Sequence, residues 1–312
     1  MNYIVLDLEW NQSSDGNDCK TPYVPFEIIQ IGAVKLDRNL NLIDQFCERV
    51  RPVIYPEIHY KVQELLALQP ADYKNARLFP EVAQDFFSWC GPYSYFCTWG
   101  PLDLKELQRN LKYHGVNSPF SFPLFFYDIQ KIFSIVFEDR RTRRSLKFAA
   151  DYLGISADYP FHDALSDAFY TAKIMQHLKK REILKNYSVD YYQLPQKRSE
   201  EIYVIYETYS KYISREFNTR LDAMKDRQLL KVPCYLCQKD TLYDIPWFVG
   251  PSKNYYCLVH CKEHGYFRGK IHFKKSESGK VFCVRTVKQI SPENALQIKD
   301  LQDNIRKKRH LR

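Results

Sequence analysis

The chain opens with Tyr3-Ile-Val-Leu-Asp7-Leu-Glu9-Trp10, an apolar run that ends in two carboxylates. We predict that this run is a buried β-strand, in which residues i and i+2 point to the same face. Asp7 and Glu9 therefore project together. Two such acids repel each other and lose hydration, which is costly unless a cation lies between them. Mg²⁺ and Mn²⁺ suit an all-oxygen site, so the stretch predicts a metal site.

The composition indicates a folded protein with more than one domain. The chain has 312 residues, of which 45% are hydrophobic and 15% aromatic, and this length suggests about two domains. It contains no apolar run of about 18 residues that would span a membrane, and its first residues lack the basic start of a signal peptide. We therefore predict a cytoplasmic protein without a membrane partner. In that reducing compartment we interpret five of the 9 cysteines as core or surface thiols: Cys19, Cys47, Cys90, Cys97 and Cys283.

The positive charge is concentrated at one end of the chain. Residues 265–312 contain 13 Lys or Arg and 4 Asp or Glu, whereas residues 1–264 contain 33 of each kind. The whole net charge of +9 therefore lies in the last stretch, which ends near Arg306-Lys-Lys-Arg309. One interpretation is an arm that binds a polyanion, and the other is a solvated tail.

Residues 1–185 alternate between strand and helix patterns. We predict strands over Tyr3–Leu8, Glu27–Asp37, Leu42–Val50, Tyr93–Trp99 and Leu124–Asp128. We predict helices over Phe79–Trp89, Asp103–His114, Leu146–Leu153 and Ala164–Arg181. Three strands followed by strands interleaved with helices indicate an α/β domain in which helices flank a mixed sheet.

Two further segments follow this domain. Residues 186–232 are predicted to form a helical connector, because apolar and tyrosine side chains from Ile202 to Met224 recur at nearly helical spacing and Pro233 ends the pattern. Residues 233–312 are predicted to form a small β-rich domain with a basic C-terminal tail. Its strands are expected at Tyr255–Val259, Tyr266–Phe273 and Lys280–Val287.

Three more chemically active residues stand at predicted helix starts. Asp103 follows a strand and the turn Gly100-Pro101, His162 precedes the last long helix, and Asp167 lies in its first turns. Taken singly, each Asp could be a helix cap and His162 a surface residue.

Read in order, these residues resemble the DEDDh superfamily of 3′–5′ exonucleases, which includes RNase T, and most closely its Eri1-like and KapD-like branch. The motifs are Asp-x-Glu at Asp7, an Asp after a mid-chain strand, and His-x4-Asp at His162. Glu27-Ile-Ile-Gln-Ile-Gly32-Ala33-Val34 adds to the likeness, which covers residues 1 to about 182. Trp10-Asn11 and Trp99-Gly100 depart from the usual residues of the family but remove no carboxylate.

The resemblance implies an RNase H-like fold and a two-metal hydrolysis of phosphodiester bonds in RNA or single-stranded DNA. Asp7, Glu9 and Asp167 would hold one Mg²⁺ or Mn²⁺, Asp7 and Asp103 the second, and His162 would be the general base. An alternative function is a nucleic-acid-binding adaptor that keeps the fold without turnover.

Recognition of a 3′ end would require contacts to the terminal base and to the phosphates. Leu8, Trp10 and Trp99 are candidates for stacking or wedging against a base, with plain core packing as the alternative. Arg144, at the end of a basic run that starts at Arg140, is a candidate phosphate contact, with a solvated loop as the alternative.

A Cys-x2-Cys pair, followed about twenty residues later by a second Cys/His cluster, has the spacing of a zinc site. Because Tyr255–Val259 alternates like a strand, the residues just after it would form a knuckle. We therefore predict that one structural Zn²⁺ is bound in a zinc-ribbon-like unit by Cys234, Cys237, Cys261 and His264. Cys257 with His260 is the alternative second pair, and free thiols are the alternative to zinc.

Overall fold

A computed structural model describes residues 2–13, 24–66 and 71–310. Cys19 lies outside these ranges. The chain divides into two compact units, Met1–Tyr191 and Tyr192–Arg312, called here the first and the second unit. In the described part of the chain, every helix is too short or too polar to cross a membrane.

The first unit is built on a six-stranded sheet with the strand order β3-β2-β1-β4-β5-β6. Its strands are β1 (Asn2–Asn11), β2 (Glu27–Leu36), β3 (Leu42–Arg49), β4 (Ser94–Thr98), β5 (Phe125–Asp128) and β6 (Ser188–Val189). Strand β1 pairs antiparallel with β2 and parallel with β4. The sheet is therefore mixed, which confirms the predicted α/β, RNase H-like fold class.

Helices cover both faces of this sheet. They are α1 (Tyr60–Leu66), α2 (Ala71–Lys74), α3 (Phe79–Cys90), α4 (Leu102–Tyr113), α5 (Ile129–Phe137), α6 (Leu146–Tyr152), α7 (Ala164–His177) and α8 (Lys180–Lys185). Alternate residues of β1 pack on opposite sides, Ile4 and Leu6 with α3 and α4, and Tyr3 and Val5 with α5 and α7. The predicted single helix Ala164–Arg181 is wrong in length, because Leu178 is extended and separates α7 from α8.

The second unit is a six-stranded sheet of order β7-β8-β12-β11-β10-β9 in which every pair is antiparallel. Its strands are β7 (Ile202–Ile205), β8 (Tyr209–Ile213), β9 (Leu242–Val249), β10 (Tyr255–Cys261), β11 (Gly265–Lys275) and β12 (Val281–Gln289). The helices are α9 (Arg220–Ala223), α10 (Arg227–Leu230) and α11 (Pro292–His310).

The helical connector predicted over residues 186–232 is wrong. Strands β7 and β8 occupy its centre and belong to the second sheet. Its helices in the described structure are a 3-10 turn over Arg198–Glu200 and the short α9 and α10. Ile202 and Val204 are buried whereas Tyr203 and Ile205 are exposed, which is the two-residue period of a strand. The division between units falls after Tyr191, so this segment does not stand as a separate domain.

The basic C-terminal tail is helical up to His310. Helix α11 packs Ala295 and Ile298 against Ile245 and Leu258 of the sheet. Its last described turns carry Arg306, Lys307 and Lys308 as exposed cations. The basic residues near the C-terminus therefore lie on a helix whose first turns pack against the second sheet.

Candidate active site and metal centre

The end of β1 places two carboxylates opposite two residues of β2. Asp7 pairs with Gly32, and Glu9 pairs with Gln30. Directly paired residues share a sheet face, so these four residues lie on the side covered by α7. Both carboxyl groups are partly buried there.

Gly32 allows α7 to approach this face. A Cβ atom at Gly32 would lie 2.1 Å from the carbonyl carbon of Ala164 and 2.2 Å from the backbone nitrogen of Leu165. Only a residue without a side chain permits such contact between backbones. The first turn of α7, which carries Asp167, is thereby held against Asp7 and Glu9.

Asp163 fixes the start of α7. Its carboxylate accepts hydrogen bonds from the backbone N–H and the hydroxyl of Ser166 at 3.1 and 3.0 Å, which is an N-cap. The amide of Gln30 donates to the same carboxylate at 2.9 Å. Strand β2 therefore positions the helix through a polar contact as well as through Gly32. The sequence analysis did not single out Asp163, whose link to Gln30 depends on contacts between residues far apart in the chain.

Asp103 lies in the first turn of α4 and is 6% exposed. The backbone N–H of Leu8 donates to its carboxylate, so Asp103 adjoins the Asp7–Glu9 strand end. The strand β1 and helix α4 thus bring two of the predicted acids together.

The carboxylates of Asp7, Glu9 and Asp167 form a compact group. One oxygen from each lies within 4.8 Å of the others, a spacing that suits a shared cation. Asp167 is 9% exposed, and its Oδ1 has no hydrogen-bond partner among the described residues. A buried carboxylate oxygen without a donor requires some other positive partner. The donor set is all oxygen, which fits Mg²⁺ or Mn²⁺.

Burial and mutual repulsion raise the pKa of every acid in this group. The pKa of Glu9 rises to about 8 through burial and the charges of Asp167 and Asp103. The pKa of Asp103 rises to about 7 and that of Asp167 to about 6, both chiefly through burial. The pKa of Asp7 also rises well above its ordinary value because of burial and the neighbouring Asp103 and Asp167. Such a cluster is a strong indication of a functional site.

In protein free of divalent ions, Glu9→Gln should be more stable than the wild type at pH 8, by about 4 kcal/mol. The folded-state pKa of Glu9 is raised from 4.5 to about 8. The free-energy cost of ionising the buried Glu9 carboxyl group is therefore absent below about pH 4 and grows as the pH rises towards 8. Thermal unfolding at several pH values should show the two melting curves converging as the pH falls. A gap that is constant with pH would contradict the prediction.

His162 stands at the entrance to α7 with an exposed side chain. Its backbone is in the left-handed region with φ 66°, which is unusual for a residue other than glycine and is often found at functional sites. Its backbone N–H donates to Oδ2 of Asp167 at 3.3 Å. The loop geometry of His162 and the orientation of Asp167 are therefore coupled.

Of the four predicted substrate contacts, the structure gives Leu8 a core position. Its side chain is 3% exposed and packs with α3 and α4, on the face opposite Asp7. The Leu8 side chain thus packs in the core, which was the alternative to the predicted stacking role. Trp10 is partly exposed beside Glu9, with its ring 5.4 Å from that of Phe26.

Trp99 and Arg144 are in contact with each other, and Trp99 packs on the face of the sheet opposite Leu8. The indole N–H of Trp99 donates to the carbonyl oxygen of Arg144 at 3.2 Å, and its ring packs on Phe133. The Arg144 guanidinium pairs with Glu138 at 2.8 Å and lies over the ring of Phe148. Both side chains are partly exposed, but each also has a structural partner.

Asn11, which departs from the family pattern, has a structural role. Its side-chain amide donates to the carbonyl oxygens of Tyr55 and Glu57 at 2.9 Å and accepts from the N–H of His59. It is fully buried and ties the end of β1 to the segment that precedes α1. Its hydrogen bonds therefore have a structural function.

In the second unit, the four predicted zinc ligands converge. One ligand atom from each of Cys234, Cys237, Cys261 and His264 lies within 4.8 Å of the others. The Cys237–Cys261 sulfurs are 3.7 Å apart, and His264 Nδ1 lies 3.6 and 3.7 Å from the sulfurs of Cys234 and Cys261. Tetrahedral zinc with its usual bond lengths requires about 3.8 Å between sulfurs and about 3.6 Å between sulfur and nitrogen.

Backbone donors surround the two buried thiols of this cluster. The N–H groups of Cys237 and Leu236 point to Sγ of Cys234, whose pKa is nevertheless raised to about 11 by burial. For Cys261, the N–H groups of Glu263 and His264 outweigh burial and lower the pKa to about 6. Donors of this kind stabilise thiolates and are typical of the surroundings of a metal.

The alternative pair is separated from this cluster. The ring of His260 faces the other way along β10 and pairs with Asp244 at 2.9 Å. Cys257 is buried against Gly269, where a Cβ atom would lie 2.4 Å from its sulfur. The structure thus favours Cys261 and His264 as the second pair.

Comparisons with known proteins find exonucleases similar to the part of the chain that contains the acidic cluster. A family model described as Exonuclease, RNase_T, matches residues 4–175. The chain is 26% identical over 178 residues to "Probable 3'-5' exonuclease KapD" of Bacillus subtilis (strain 168), which covers 55% of this chain and 82% of that protein.

Among solved structures, the chain is similar to the nuclease domain of 3'hExo, a DEDDh family member, bound to rAMP. That match has 21% identity and a TM-score of 0.49, and covers 56% of this chain and 90% of the other. Exonuclease I of E. coli in complex with a dT13 oligonucleotide matches with 15% identity and a TM-score of 0.47, over 58% of this chain and 41% of the other.

Proposed function

The chain belongs to the RNase T family of exonucleases, and from that premise we propose that it is a metal-dependent 3′–5′ exonuclease that releases 5′-mononucleotides from RNA or single-stranded DNA. The observation that carries this proposal is the convergence of Asp7, Glu9 and Asp167 on one point, with an oxygen of Asp167 left without a donor. Asp103 adjoins the group through the N–H of Leu8.

The acids would hold two Mg²⁺ or Mn²⁺ ions. Asp7, Glu9 and Asp167 would bind one, and Asp7 and Asp103 the other. When bound, such a pair of ions activates the attacking water and stabilises the charge on the phosphate and on the leaving oxygen. The residues contribute by holding their carboxylates close together in a partly buried site, where repulsion between them favours cation binding.

We assign His162 as the general base. Its side chain is exposed and follows the loop that leads into α7, and imidazole is the side chain that most often serves as a general base. Its left-handed backbone and the hydrogen bond from its N–H to Asp167 fix the loop that carries the ring. His162 would take the proton from the water while Asp167 stays ionised.

Each unit contains candidate contacts for a nucleic acid. Trp10, partly exposed beside Glu9, is the remaining candidate for contact with the terminal base, and Trp99 and Arg144 are weaker ones because of their structural partners. The basic stretch 265–312, with 13 cations and 4 acids, would attract the phosphate backbone. One structural Zn²⁺ on the Cys3His cluster would supply much of the stability of that unit.

Oligonucleotides labelled at the 5′ end provide the test. With Mg²⁺ or Mn²⁺, single-stranded RNA or DNA should shorten stepwise from the 3′ end and give 5′-mononucleotides, and a 3′-terminal block should slow the reaction. Matched RNA and DNA strands, single and double, would define the preferred substrate. Binding without any metal-dependent product would instead support the adaptor function.

Gly32→Ala should lower the exonuclease rate by about 100-fold or more, because the added Cβ would meet the backbone of α7 at 2.1 Å and displace Asp167. The rate is measured on single-stranded substrate at saturating Mg²⁺. Gly154→Ala is the control, since Gly154 has φ +67° and nothing within 4 Å of its added Cβ. That change should cost about 1 kcal/mol of stability and keep the rate. Equal rates for both variants would contradict the positioning role of Gly32.

A further inference from the structure

Arg285, in the middle of β12, is a buried cation in the second unit. It is 2% exposed, and its Nη1 donates to the carbonyl oxygens of Gln228, Leu229 and Lys231, the first two at 2.9 and 2.7 Å. Its guanidinium also lies 4.5 Å from the centre of the Tyr212 ring. These contacts hold one end of the guanidinium at the end of α10, where a cation is favoured.

The rest of the guanidinium is unsatisfied. Its Nε has no hydrogen-bond partner within the ranges that the structure describes, and the ion pairs described there include none with Arg285. The nearby carboxylate of Glu201 accepts from the Tyr212 hydroxyl and pairs with Arg215 at 2.7 Å. A buried charge without a counter-ion is destabilising unless an anion accompanies it.

A cavity opens at this cation. Its volume is about 220 Å³, and its walls are Tyr203, Tyr212, Gln228, Lys231, Pro233 and Arg285. Tyr203 pairs with Tyr212 across β7 and β8, and Tyr212 pairs with Arg285 across β8 and β12. The three side chains therefore stand in one row on the same sheet face, from the edge strand β7 inward to the buried cation.

The walls suit a phosphate group. Lys231 adds a second cation; its ion pair with Asp240 is between exposed side chains, 55% and 76% accessible, and such pairs are weak. The cavity is smaller than the roughly 300–1,000 Å³ of pockets for drug-sized ligands, so it fits a small anion with part of its attached group. Tyr203 is 37% exposed at the sheet edge and offers a ring to a base or sugar beside that anion.

We propose that this cavity binds a phosphate group, held by the guanidinium of Arg285 and the ammonium of Lys231, with Tyr203 contacting the adjoining nucleoside. The phosphate would come from a single nucleic-acid strand or from a free mononucleotide. That the phosphate belongs to a nucleic-acid strand rests on the proposed function, whereas the presence of an anion-binding site does not. The second unit thus contributes a specific contact in addition to its diffuse positive charge.

Binding is measured on the full chain carrying Asp7→Asn, which prevents cleavage of the probe. The probes are a fluorescein-labelled single-stranded RNA, read by anisotropy, and AMP and inorganic phosphate, read by calorimetry. Lys231→Gln and Tyr203→Ala change exposed parts of the cavity wall. Lys253→Gln is the matched control, because Lys253 is exposed in the turn before β10 and does not line the cavity.

We expect Lys231→Gln and Tyr203→Ala each to weaken RNA binding about 5- to 10-fold. Lys231→Gln should also reduce the salt slope of binding by about 0.7, the value for one phosphate contact to a single strand. Arg285→Lys keeps the charge but moves the donor, so it should weaken binding further; circular dichroism identifies any unfolding of that variant.

Weaker RNA binding without measurable binding of AMP would assign the site to the strand. Binding of AMP or phosphate that is lost in Lys231→Gln, with unchanged RNA affinity, would assign it to the free mononucleotide. RNA, AMP and phosphate affinities that are the same in the cavity variants and in Lys253→Gln would overturn the proposal. Cleavage by the chain with native Asp7 is scored separately, so a failure of the exonuclease assay is distinguishable from a failure of the phosphate site.

Discussion

Asp7→Asn is expected to lower the exonuclease rate by at least about 10³-fold, or about 4 kcal/mol of transition-state stabilisation. Asp7 is the one acid assigned to both ions, and its carboxylate adjoins those of Glu9, Asp103 and Asp167. The amide keeps the size of the side chain but removes the negative charge that holds a cation. The rate on labelled single-stranded RNA and DNA at saturating Mg²⁺ or Mn²⁺ measures the effect.

The same substitution should stabilise the protein when divalent ions are absent. Burial and four neighbouring acids raise the pKa of Asp7, so its ionised form is unfavourable in the fold. Asp7→Asn should therefore raise the melting temperature without Mg²⁺ and lose the gain that Mg²⁺ gives to the wild type. A substitution that lowers activity and raises stability is typical of a site whose residues are arranged to bind a ligand.

Asp151→Asn is the matched control for this experiment. Asp151 is an exposed acid of the same unit, paired with Lys147 four residues earlier on α6. Its replacement removes the same charge without touching the cluster and should leave the rate within about twofold. An Asp7→Asn protein with the wild-type rate would remove Asp7 from the site, and a comparable loss in both variants would point to a non-specific effect of charge.

The acidic site could be predicted from sequence because its members have local signatures. Asp7 and Glu9 have strand spacing at the end of an apolar run, and Asp103 and Asp167 stand in the first turns of helices. What brings Asp167 to the strand is a backbone contact between Gly32 and α7 across more than 130 residues. No local pattern records such a contact, although a glycine in the middle of a buried strand was a hint that another backbone comes close.

The second unit shows where spacing alone misleads. Ile202, Ile205, Tyr209 and Tyr212 fall near helical positions, yet they lie on the two paired strands β7 and β8. Counting only the apolar residues at helical spacing overlooks the alternation of buried Ile202 with exposed Tyr203. This strand-like alternation becomes clear once β8 is seen to pair with β12. Long-range sheet pairing therefore decided the structure where the local pattern was ambiguous.

Cys234→Ser is expected to abolish zinc binding and to unfold the second unit, the second large effect that we predict. Structural zinc contributes about 10–16 kcal/mol in small zinc-binding peptides, which exceeds the usual stability of a small domain. Cys234 is fully buried in the cluster that joins the residues before β9 to the turn between β10 and β11. Loss of this link would expose the lysine- and arginine-rich second unit, which trypsin would then digest while a fragment near Met1–Tyr191 persists.

Cys257→Ser provides the matched control, because Cys257 is equally buried on β10 but lies outside the four-ligand group. We expect it to cost about 1–2 kcal/mol through an imperfectly paired hydroxyl and to keep one zinc per chain. Zinc released from each purified protein is titrated with a chromophoric chelator, and melting curves and digestion patterns are compared. Retention of zinc by Cys234→Ser, or its loss from Cys257→Ser alone, would contradict the assignment. The acidic cluster lies in the other unit. Removal of zinc with a chelator should therefore make residues 192–312 sensitive to trypsin while metal-dependent hydrolysis stays measurable. That result would show that zinc supports the stability of the second unit and takes no part in the hydrolysis.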